Sequence, residues 1–527
     1  MKRLFVTVFL FIGTMSYGQG LNMLYNFSNT PNWFNSDITS AVTDTNYFLV
    51  TGATSDSFAL NYCYVARFNY SGRLEWEDSI KNYQYSNAGG YECMARMGNG
   101  GYVMAGEGWD SGINNKIIIN EPFLYFFDGQ DSNRRFVTYL DSNISRTINA
   151  LAVDKGDNII GAGNITSGSV FLSTDSNYYF DSIAVGLFKY DYNGHLLWQK
   201  KYFNQQNAGI SAYVNVNKIV VSNDGLYYVL AGMKNDLTTN TTQSFYIKTD
   251  TAGNVIWSKI LPHVTYMGDG SQGYNVDIVP AYSSGYYFVG NNEIFVDSTY
   301  QAYIYFGRFD ENGVIEWSKN YAYRPPPRAA YEGTNIALDK DGNLLLQGFE
   351  GYQIYDPVLL KTDSVGNVIW YREHFYVNQF SPTQQLYTLA TTPDGRILTA
   401  GIFSNPSPEP YCDTVGALSW IVLSDSLGMR YPGDTLIVPF VSAASVPSPA
   451  KHIAIYPNPV TDDVYINTYN NTDISMQLTD ISGRALITIL LQPGVNAVDM
   501  RQYAPGIYIA KLYNNGQLLQ TEKIARY

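Results

Sequence analysis

The sequence is poor in cysteine, histidine and charge. Its 527 residues include 3 Cys and 4 His, and only 15% of them are charged. Cys63, Cys93 and Cys412 are too few and too scattered for a disulfide scaffold, and none has the paired spacing of a zinc site. We expect free thiols in the core, with a single disulfide and one remaining thiol as the alternative.

Catalytic and metal-binding motifs are missing as well. His195, His263, His374 and His452 lack metal-ligand spacing. No nucleophile elbow, phosphate loop or paired-carboxylate motif occurs. We therefore predict no catalytic residue, no metal site and no cofactor.

One segment approaches the pattern of a calcium loop. Asp339, Asp341, Asn343 and Glu350 fit loop positions one, three, five and twelve, but Leu344 stands at the sixth position, where the loop needs Gly. Because an Asp-Gly turn dipeptide also separates two apolar runs here, a β-hairpin is the better interpretation.

Basic segments and long apolar runs are absent too. The formal net charge is −13, with no long run of Lys or Arg, so the field of the protein repels phosphate backbones and anionic membrane surfaces. After the N-terminal segment, no stretch reaches the roughly 18 apolar residues of a membrane helix. We predict neither nucleic-acid binding nor a transmembrane anchor.

The N-terminal segment has the three parts of a secretory signal peptide. Positions 2 and 3 are basic, residues 4–13 are apolar, and residues 16–18 offer small side chains around a cleavage site. The apolar stretch is too short to span a bilayer. Residues 1–18 are predicted to be a signal peptide, and the mature protein is predicted to be exported.

A repeat with a period close to 60 residues follows. Its marker is Lys/Arg-x-Asp-x-x-Gly-x-x-x-Trp, with copies that begin at Lys189, Lys248, Arg308 and Lys361. A copy at Arg67 has Asn in the Asp position, and one around Asp425 keeps the turn but lacks Trp.

A seventh, decayed copy lies between the copies that begin at Arg67 and Lys189. There Asp131, Arg134 and Thr138 fall in phase with Asp, Gly and Trp. A second marker, an apolar strand that ends in Gly, also occurs seven times, at Gly52, Gly106, Gly163, Gly232, Gly290, Gly348 and Gly401. Both markers therefore indicate seven units.

Each repeat predicts four short strands. Asp-Gly dipeptides and the Asp-x-x-Gly segment supply tight turns, and strands such as residues 227–231 are apolar on both faces. Four-stranded sheets repeated in this way are β-propeller blades. Residues 24–27 resemble the end of a Trp-containing strand, so the N-terminus is expected to complete the seventh blade. Residues 19–440 are thus predicted to form a seven-bladed β-propeller in an all-β chain.

The Trp motif resembles those of quinone-dependent dehydrogenase propellers and of secreted bacterial propeller repeats. The first resemblance implies that Trp docks one blade onto the next. Those dehydrogenases usually have eight blades and adjacent cysteines, and neither feature occurs here. We therefore interpret Trp76, Trp198, Trp257, Trp317 and Trp370 as packing residues.

The C-terminal part has a different composition. Residues 441–452 form a linker rich in Ser, Ala and Pro, and residues 453–527 alternate like the strands of a small Ig-like β-sandwich. Motif residues of the second segment follow in order: Tyr456, Pro457, Asn458, Pro459, Asp480, Gly483, Arg484, Gly506, Tyr508 and Lys523. This order resembles the type A C-terminal sorting domain of the Bacteroidetes type IX secretion system. The resemblance implies handling by that machinery and release outside the cell or attachment to its outer surface.

Two classes of function stay open. The first is a non-catalytic recognition or scaffold protein with a glycan or protein ligand, and the second is a propeller enzyme that acts on extracellular glycans or resembles a quinoprotein. The missing motifs favour the first. The short turns share one end of each blade, so a ligand is expected on the opposite face, where variable connections gather. Candidate residues there are Trp109, Tyr178, Tyr179, Tyr266, Tyr323, Arg324 and Arg328.

Overall fold

The structure is a computed structural model of the full chain. It describes residues 21–25, 27, 36–55, 61–80, 85–88, 92–109, 121–129, 134–138, 144–167, 182–206, 214–236, 241–261, 265–266, 276–296, 299–322, 331–350, 356–373, 384–404, 417–430, 454–456, 460–468, 473–480, 483–514 and 517–526. No helix occurs among them. The chain divides into two compact units, Met1–Ser445 and Val446–Tyr527, at a point inside the predicted linker.

The described part of the first unit contains strands joined by tight turns. The first fifteen are β1 (Leu21–Tyr25), β2 (Ser40–Thr43), β3 (Tyr47–Ser55), β4 (Asn61–Asn69), β5 (Leu74–Ile80), β6 (Tyr85–Ala88), β7 (Met94–Arg96), β8 (Tyr102–Trp109), β9 (Glu121–Phe127), β10 (Arg134–Thr138), β11 (Ile144–Arg146), β12 (Ala150–Val153), β13 (Ile159–Ser167), β14 (Ser182–Tyr190) and β15 (Leu196–Gln206).

The remaining strands of this unit are β16 (Val214–Val221), β17 (Tyr227–Asp236), β18 (Thr241–Asp250), β19 (Val255–Ile260), β20 (Thr265–Tyr266), β21 (Asp277–Pro280), β22 (Tyr286–Val296), β23 (Thr299–Phe309), β24 (Ile315–Tyr321), β25 (Tyr331–Leu338), β26 (Leu344–Glu350), β27 (Asp356–Thr362), β28 (Val368–Glu373), β29 (Gln384–Thr391), β30 (Ile397–Ser404) and β31 (Ala417–Ser424).

These strands form antiparallel sheets of four or five strands. We number the sheets in chain order: sheet 1 (β2–β5), sheet 2 (β6–β10), sheet 3 (β11–β15), sheet 4 (β16–β20), sheet 5 (β21–β24), sheet 6 (β25–β28) and sheet 7 (β29–β31 with β1). Within the described residues, the inner strands contact one another in the order β2, β7, β12, β16, β21, β25 and β29, and β29 returns to β2. The predicted all-β propeller is confirmed. The described residues supply seven sheets, and the blade count of the whole chain stays a prediction.

The N-terminal strand closes sheet 7 as predicted. Strand β1 pairs antiparallel with β31, so that Leu21 lies opposite Leu423 and Tyr25 opposite Ser419. Residues 24 and 25 thus lie at the end of the described strand, as predicted, and residue 26 lies outside the described residues. The side-chain oxygen of Asn22 also accepts a hydrogen bond of 2.7 Å from the indole of Trp420.

Four of the five repeat tryptophans pack on the turn glycine of the next sheet, and Trp76 instead donates its indole N–H to Gly129 O of sheet 2 at 3.3 Å. A Cβ added to Gly313, Gly366 or Gly428 would lie 2.8 Å from the indole of Trp257, Trp317 or Trp370 respectively. The same contact joins Trp198 to Gly253 and, at the ring closure, Leu21 and Met23 of β1 to Gly72. The predicted docking of Trp from blade to blade is confirmed.

The decayed copy in sheet 2 differs from its prediction. Strand β9 ends at Phe127, and the turn to β10 begins at Asp128, so Asp131 does not take the place of the repeat Asp. The register places Arg135 opposite Phe126, whereas Trp198 lies opposite Lys189 in the next sheet. Arg135, rather than Thr138, therefore stands in the Trp position.

Arg135 also makes the contact that Trp makes elsewhere. Its guanidinium lies 4.1 Å above the ring of Phe126 and donates to Tyr192 O and Asn193 Oδ1 at 3.2 Å each. Both acceptors belong to the Asp-x-x-Gly turn of sheet 3. In this copy, a guanidinium with five donors thus takes the place that the indole has in the other copies.

The core of the first unit lies between neighbouring sheets. Cys63 and Cys93 are buried together with Tyr102, Phe123 and Phe188. Cys412 lies outside the described residues. The predicted burial of two cysteines is confirmed, and the pairing of the three stays a prediction.

The second unit contains two antiparallel sheets. Its strands are β32 (Ala454–Tyr456), β33 (Asp463–Asn467), β34 (Ile474–Asp480), β35 (Ala485–Leu491), β36 (Val495–Asp499), β37 (Gly506–Asn514) and β38 (Gln517–Arg526). One sheet has the order β32-β33-β36 and the other β35-β34-β37-β38. Alternate residues such as Val464, Met476 and Leu512 form a shared core. This is the predicted small β-sandwich.

Candidate functional site

The two kinds of tight turn lie at one end of every sheet. Asp250 shows why these turns form, because its Oδ1 accepts the N–H groups of Ala252 and Asn254 at 2.9 and 2.8 Å. Gly253 closes the turn with a φ of +79°, which glycine adopts without strain. The longer connections must therefore leave from the other end of the sheets.

Two of the seven predicted ligand residues lie in the described structure, at that other end. Trp109 ends β8 and Tyr266 ends β20. Tyr178, Tyr179, Tyr323, Arg324 and Arg328 lie outside the described residues. Their gathering on one ligand face stays a prediction.

The segment that resembles a calcium loop is a hairpin turn. Asp339 Oδ1 accepts the N–H groups of Asp341 and Asn343 at 2.9 Å, and its Oδ2 contacts Lys361 Nζ at 2.7 Å. Burial alone raises the pKa of Asp339, but the hydrogen bonds from Lys361 and Asn343 outweigh burial and hold the pKa below 3.8. Both oxygens of the Asp339 carboxylate therefore already contact groups of the protein, which agrees with the hairpin interpretation.

A charged cluster lies at the centre of the ring. It consists of Glu92, two residues before β7, Lys218 of β16 and Asp277 of β21. Lys218 Nζ contacts Glu92 Oε2 and lies 3.5 Å from Asp277 Oδ1. Glu92 belongs to sheet 2 and Lys218 to sheet 4, with sheet 3 between them, so this contact crosses the centre. We call these three residues the central cluster.

Asp277 is the fixed member of the central cluster. Its Oδ1 accepts the N–H of Ile278 at 2.6 Å, and its Oδ2 accepts the N–H of Ile336 in sheet 6 at 2.9 Å. Burial raises the pKa of Asp277 and lowers that of Lys218, while their mutual attraction opposes both changes. Burial thus disfavours the charged form of each group, and the contact between the two favours it.

Glu92 is the strained member. Its φ is +72°, a left-handed conformation that costs a non-glycine residue about 1–3 kcal/mol. Two neighbouring sheets hold this backbone, because the N–H of Glu92 donates to Thr39 O at 3.3 Å and its carbonyl accepts from Leu151 N at 3.1 Å. Such strain at a charged residue marks a candidate functional site.

Sequence reasoning missed the central cluster. Lys218 and Asp277 belong to the first strands of sheets 4 and 5. Each lies opposite the second-strand residue of its own sheet that directly precedes the repeat Gly. The corresponding residues of sheets 1, 3, 6 and 7 are uncharged: Ser40, Ala150, Asn335 and Thr388. An alignment of the seven copies on their inner strands would have shown a Lys and an Asp in an otherwise uncharged ring.

The chemistry of the central cluster is that of ion pairing and proton exchange. It holds one ammonium and two carboxylates, with no hydroxyl or thiol nucleophile among its three members. Within the described ranges, no group of three or more His, Cys, Asp and Glu residues is placed to hold a metal ion. The central cluster can therefore bind a charged group through Lys218.

In the second unit, four of the motif residues that the structure describes build a turn and a corner. Asp480 accepts the N–H of Arg484 at Oδ1, 3.1 Å away, and contacts its guanidinium at the same distance. Between them, Gly483 has a φ of +84°. Tyr508, largely buried, donates its hydroxyl to Ala504 O at 2.6 Å, as in the tyrosine corner of Ig-like sandwiches.

The other motif residues lie on the strands or outside them. Tyr456 ends β32, Gly506 begins β37 and Lys523 lies on β38 opposite Ile509. Pro457, Asn458 and Pro459 lie outside the described residues.

Residues 454–525 match the family described as the secretion system C-terminal sorting domain. The second unit is such a sorting domain. Through the type IX system, the sorting domain directs the protein to the cell surface or the extracellular space. In the described part of the chain, the structure has no helix with the length and apolar composition needed to cross a membrane.

Solved structures resemble the chain only distantly. One is the Dos1 propeller, with 10% identity, a TM-score of 0.41, and coverage of 84% of this chain and 92% of that one. Another is PorZ, a surface component of the type-IX secretion system of Porphyromonas gingivalis, with 12% identity, a TM-score of 0.28, and coverage of 92% and 68%.

A third is a protein of unknown function from Dyadobacter fermentans, with 10% identity, a TM-score of 0.39, and coverage of 63% and 93%. No curated protein matches the sequence. The assignment of the propeller rests on the sheet order and register described above.

Proposed function

We propose that this protein is a non-catalytic recognition or scaffold protein of a Bacteroidetes cell surface or its surroundings. Its signal peptide takes it to the periplasm, and the sorting domain takes it through the outer membrane, where the domain is removed. The propeller then binds a glycan or a protein on the face opposite the tight turns, without a metal or cofactor.

The match of the second unit to the sorting domain carries the extracellular part of this proposal. The turn geometry supports the recognition part. At the turn end of the sheets, polar groups are engaged in hydrogen bonds within the Asp-x-x-Gly turns and in contacts with Trp from the neighbouring sheet. Asp250 and Trp257 illustrate the two cases. Variable connections at the other end are free to differ, and function tends to lie on such connections.

The second candidate is an enzyme whose active site includes the central cluster. The observation that favours it is the strained Glu92 beside Lys218, whose side chain is 13% exposed, since strain and charged groups gather at active sites. The full compensation of Lys218 by two carboxylates and the lack of a nucleophile in the central cluster speak for binding instead.

Glycan arrays and pull-down assays from surface extracts, with the purified full chain, test the proposal. We expect binding that chelator leaves unchanged and no turnover of the bound ligand. Turnover, or binding that chelation abolishes, would favour the enzyme. The variant Trp109→Ala, compared with Tyr192→Ala at the turn end, should weaken binding selectively.

A further inference from the structure

The two carboxylates of the central cluster hold Lys218 in different ways. Asp277 receives hydrogen bonds from two backbone N–H groups, and its side chain is only 3% exposed. Glu92 receives no such bond in the described structure, and its side chain is 22% exposed. A change of rotamer can therefore take Glu92 off Lys218, while Asp277 stays in place.

Glu92 is also a poor residue for its backbone position. Its φ of +72° suits glycine, yet the chain places here a carboxylate that reaches across the centre to Lys218. Among the described residues, the Glu92 carboxylate makes one ion pair, with Lys218. The Glu92 carboxylate thus occupies the place on Lys218 that the carboxylate of an external ligand would take.

Two amide side chains that suit a small ligand lie near the central cluster in sequence and sheet order. Asn149, two residues before the Leu151 that binds the Glu92 carbonyl, donates from Nδ2 to Asn215 Oδ1 at 2.7 Å. Asn215 shares β16 with Lys218. Amide groups of this kind can exchange hydrogen bonds with the hydroxyl groups of a ligand.

We propose that Lys218, fixed by Asp277, binds the carboxylate of a small external ligand, and that Glu92 occupies this place until the ligand displaces it. This deepens the proposed recognition function, on which it rests, by naming the chemical group that is bound. No bond is made or broken, because the ligand carboxylate replaces the Glu92 carboxylate in one ion pair.

Titration calorimetry of the full chain tests this directly, with glucuronate, acetate and the neutral sugar glucose as probes. The variant Glu92→Gly removes the internal carboxylate, and glycine accepts the same backbone conformation without strain. We expect the variant to bind glucuronate at least tenfold more tightly than the unchanged chain, and glucose not at all. Binding of acetate as well would show that a bare carboxylate suffices, and its absence that the sugar ring contributes.

The double variant Glu92→Gly with Lys218→Gln is the matched control, and it should return glucuronate binding to the level of the unchanged chain or below. Thermal melting of each variant checks that the propeller is folded. The inference is overturned if folded Glu92→Gly binds glucuronate no better than the unchanged chain, or if the double variant binds it equally well. Either result leaves the proposed function standing, because a ligand can still bind the long connections in the array and pull-down assays.

Discussion

The indole of Trp257 lies against Gly313 in the next sheet, where a Cβ would come within 2.8 Å of the ring. Gly313 has a φ of +73°, and the indole N–H donates to Glu311 O of the same turn at 2.9 Å. Only glycine meets both the steric and the conformational condition. The Trp and the Gly of the repeat are therefore two halves of one contact between sheets.

We expect Gly313→Ala to destabilise the propeller by about 3 kcal/mol. The positive φ costs alanine about 1–2 kcal/mol. The added methyl group also clashes with the indole, and overpacking of this kind costs about 1–3 kcal/mol. Gly100→Ala is the matched control, because Gly100 has a φ of +86° but no atom within 4 Å of an added Cβ. Urea denaturation should show the control to lose only about 1 kcal/mol, and equal losses would contradict the packing account.

Removal of β1 should lower the stability of the propeller. A chain that begins after Tyr25 leaves the edge of β31 open and loses the contacts of Leu21 and Met23 with Gly72. We expect a loss of roughly several kcal/mol, seen as a lower melting temperature and as aggregation. The smaller change Asn22→Ala removes the hydrogen bond from Trp420 and should cost about 1 kcal/mol. An unchanged melting temperature for the shortened chain would rule out closure by the N-terminal strand.

The Asp339–Lys361 pair predicts a loss of stability in acid. The pKa of Asp339 is lower in the folded protein than its ordinary 3.8, so the unfolded chain takes up the proton more readily. The stabilisation is complete above pH 4 or so and is lost as the pH falls through the folded pKa. Asp339→Asn should be less stable at neutral pH and should show a weaker decline in acid. Asp341→Asn, at the exposed neighbour in the same turn, should keep the original decline.

The repeat could be predicted because its contacts are local or periodic. Each Asp-x-x-Gly turn is formed within five residues. The Trp of one sheet contacts the turn of the next sheet, about one period further along the chain, so both features recur as markers in the sequence. The copy in sheet 2 could not be predicted in this way. Arg135 makes the same contact through a guanidinium, and the turn from Asp128 changed the spacing.

The central cluster could not be predicted from the motifs. Glu92 and Lys218 are 126 residues apart, and their contact depends on the closure of the ring rather than on any local spacing. The positive φ of Glu92 is set by its bonds to Thr39 and Leu151, which lie on two other sheets. Only a fold that brings inner strands to a common centre reveals such a site.

Tyr508→Phe should weaken the sorting domain without affecting the propeller. The hydroxyl of Tyr508 donates to Ala504 O at 2.6 Å and fixes the start of β37. Its loss should cost about 1 kcal/mol in the unfolding of the second unit. Differential scanning calorimetry would show one shifted transition, and a shift of both transitions would contradict independent folding of the two units.

Secretion itself gives the most direct measurement. Cell fractionation of a Bacteroidetes host should find the full chain outside the cell or on its surface, and the chain without Lys451–Tyr527 folded in the periplasm. Fusion of residues 446–527 to a periplasmic fluorescent protein should carry that protein out as well. Efficient export of the shortened chain, together with retention of the fusion, would contradict the account.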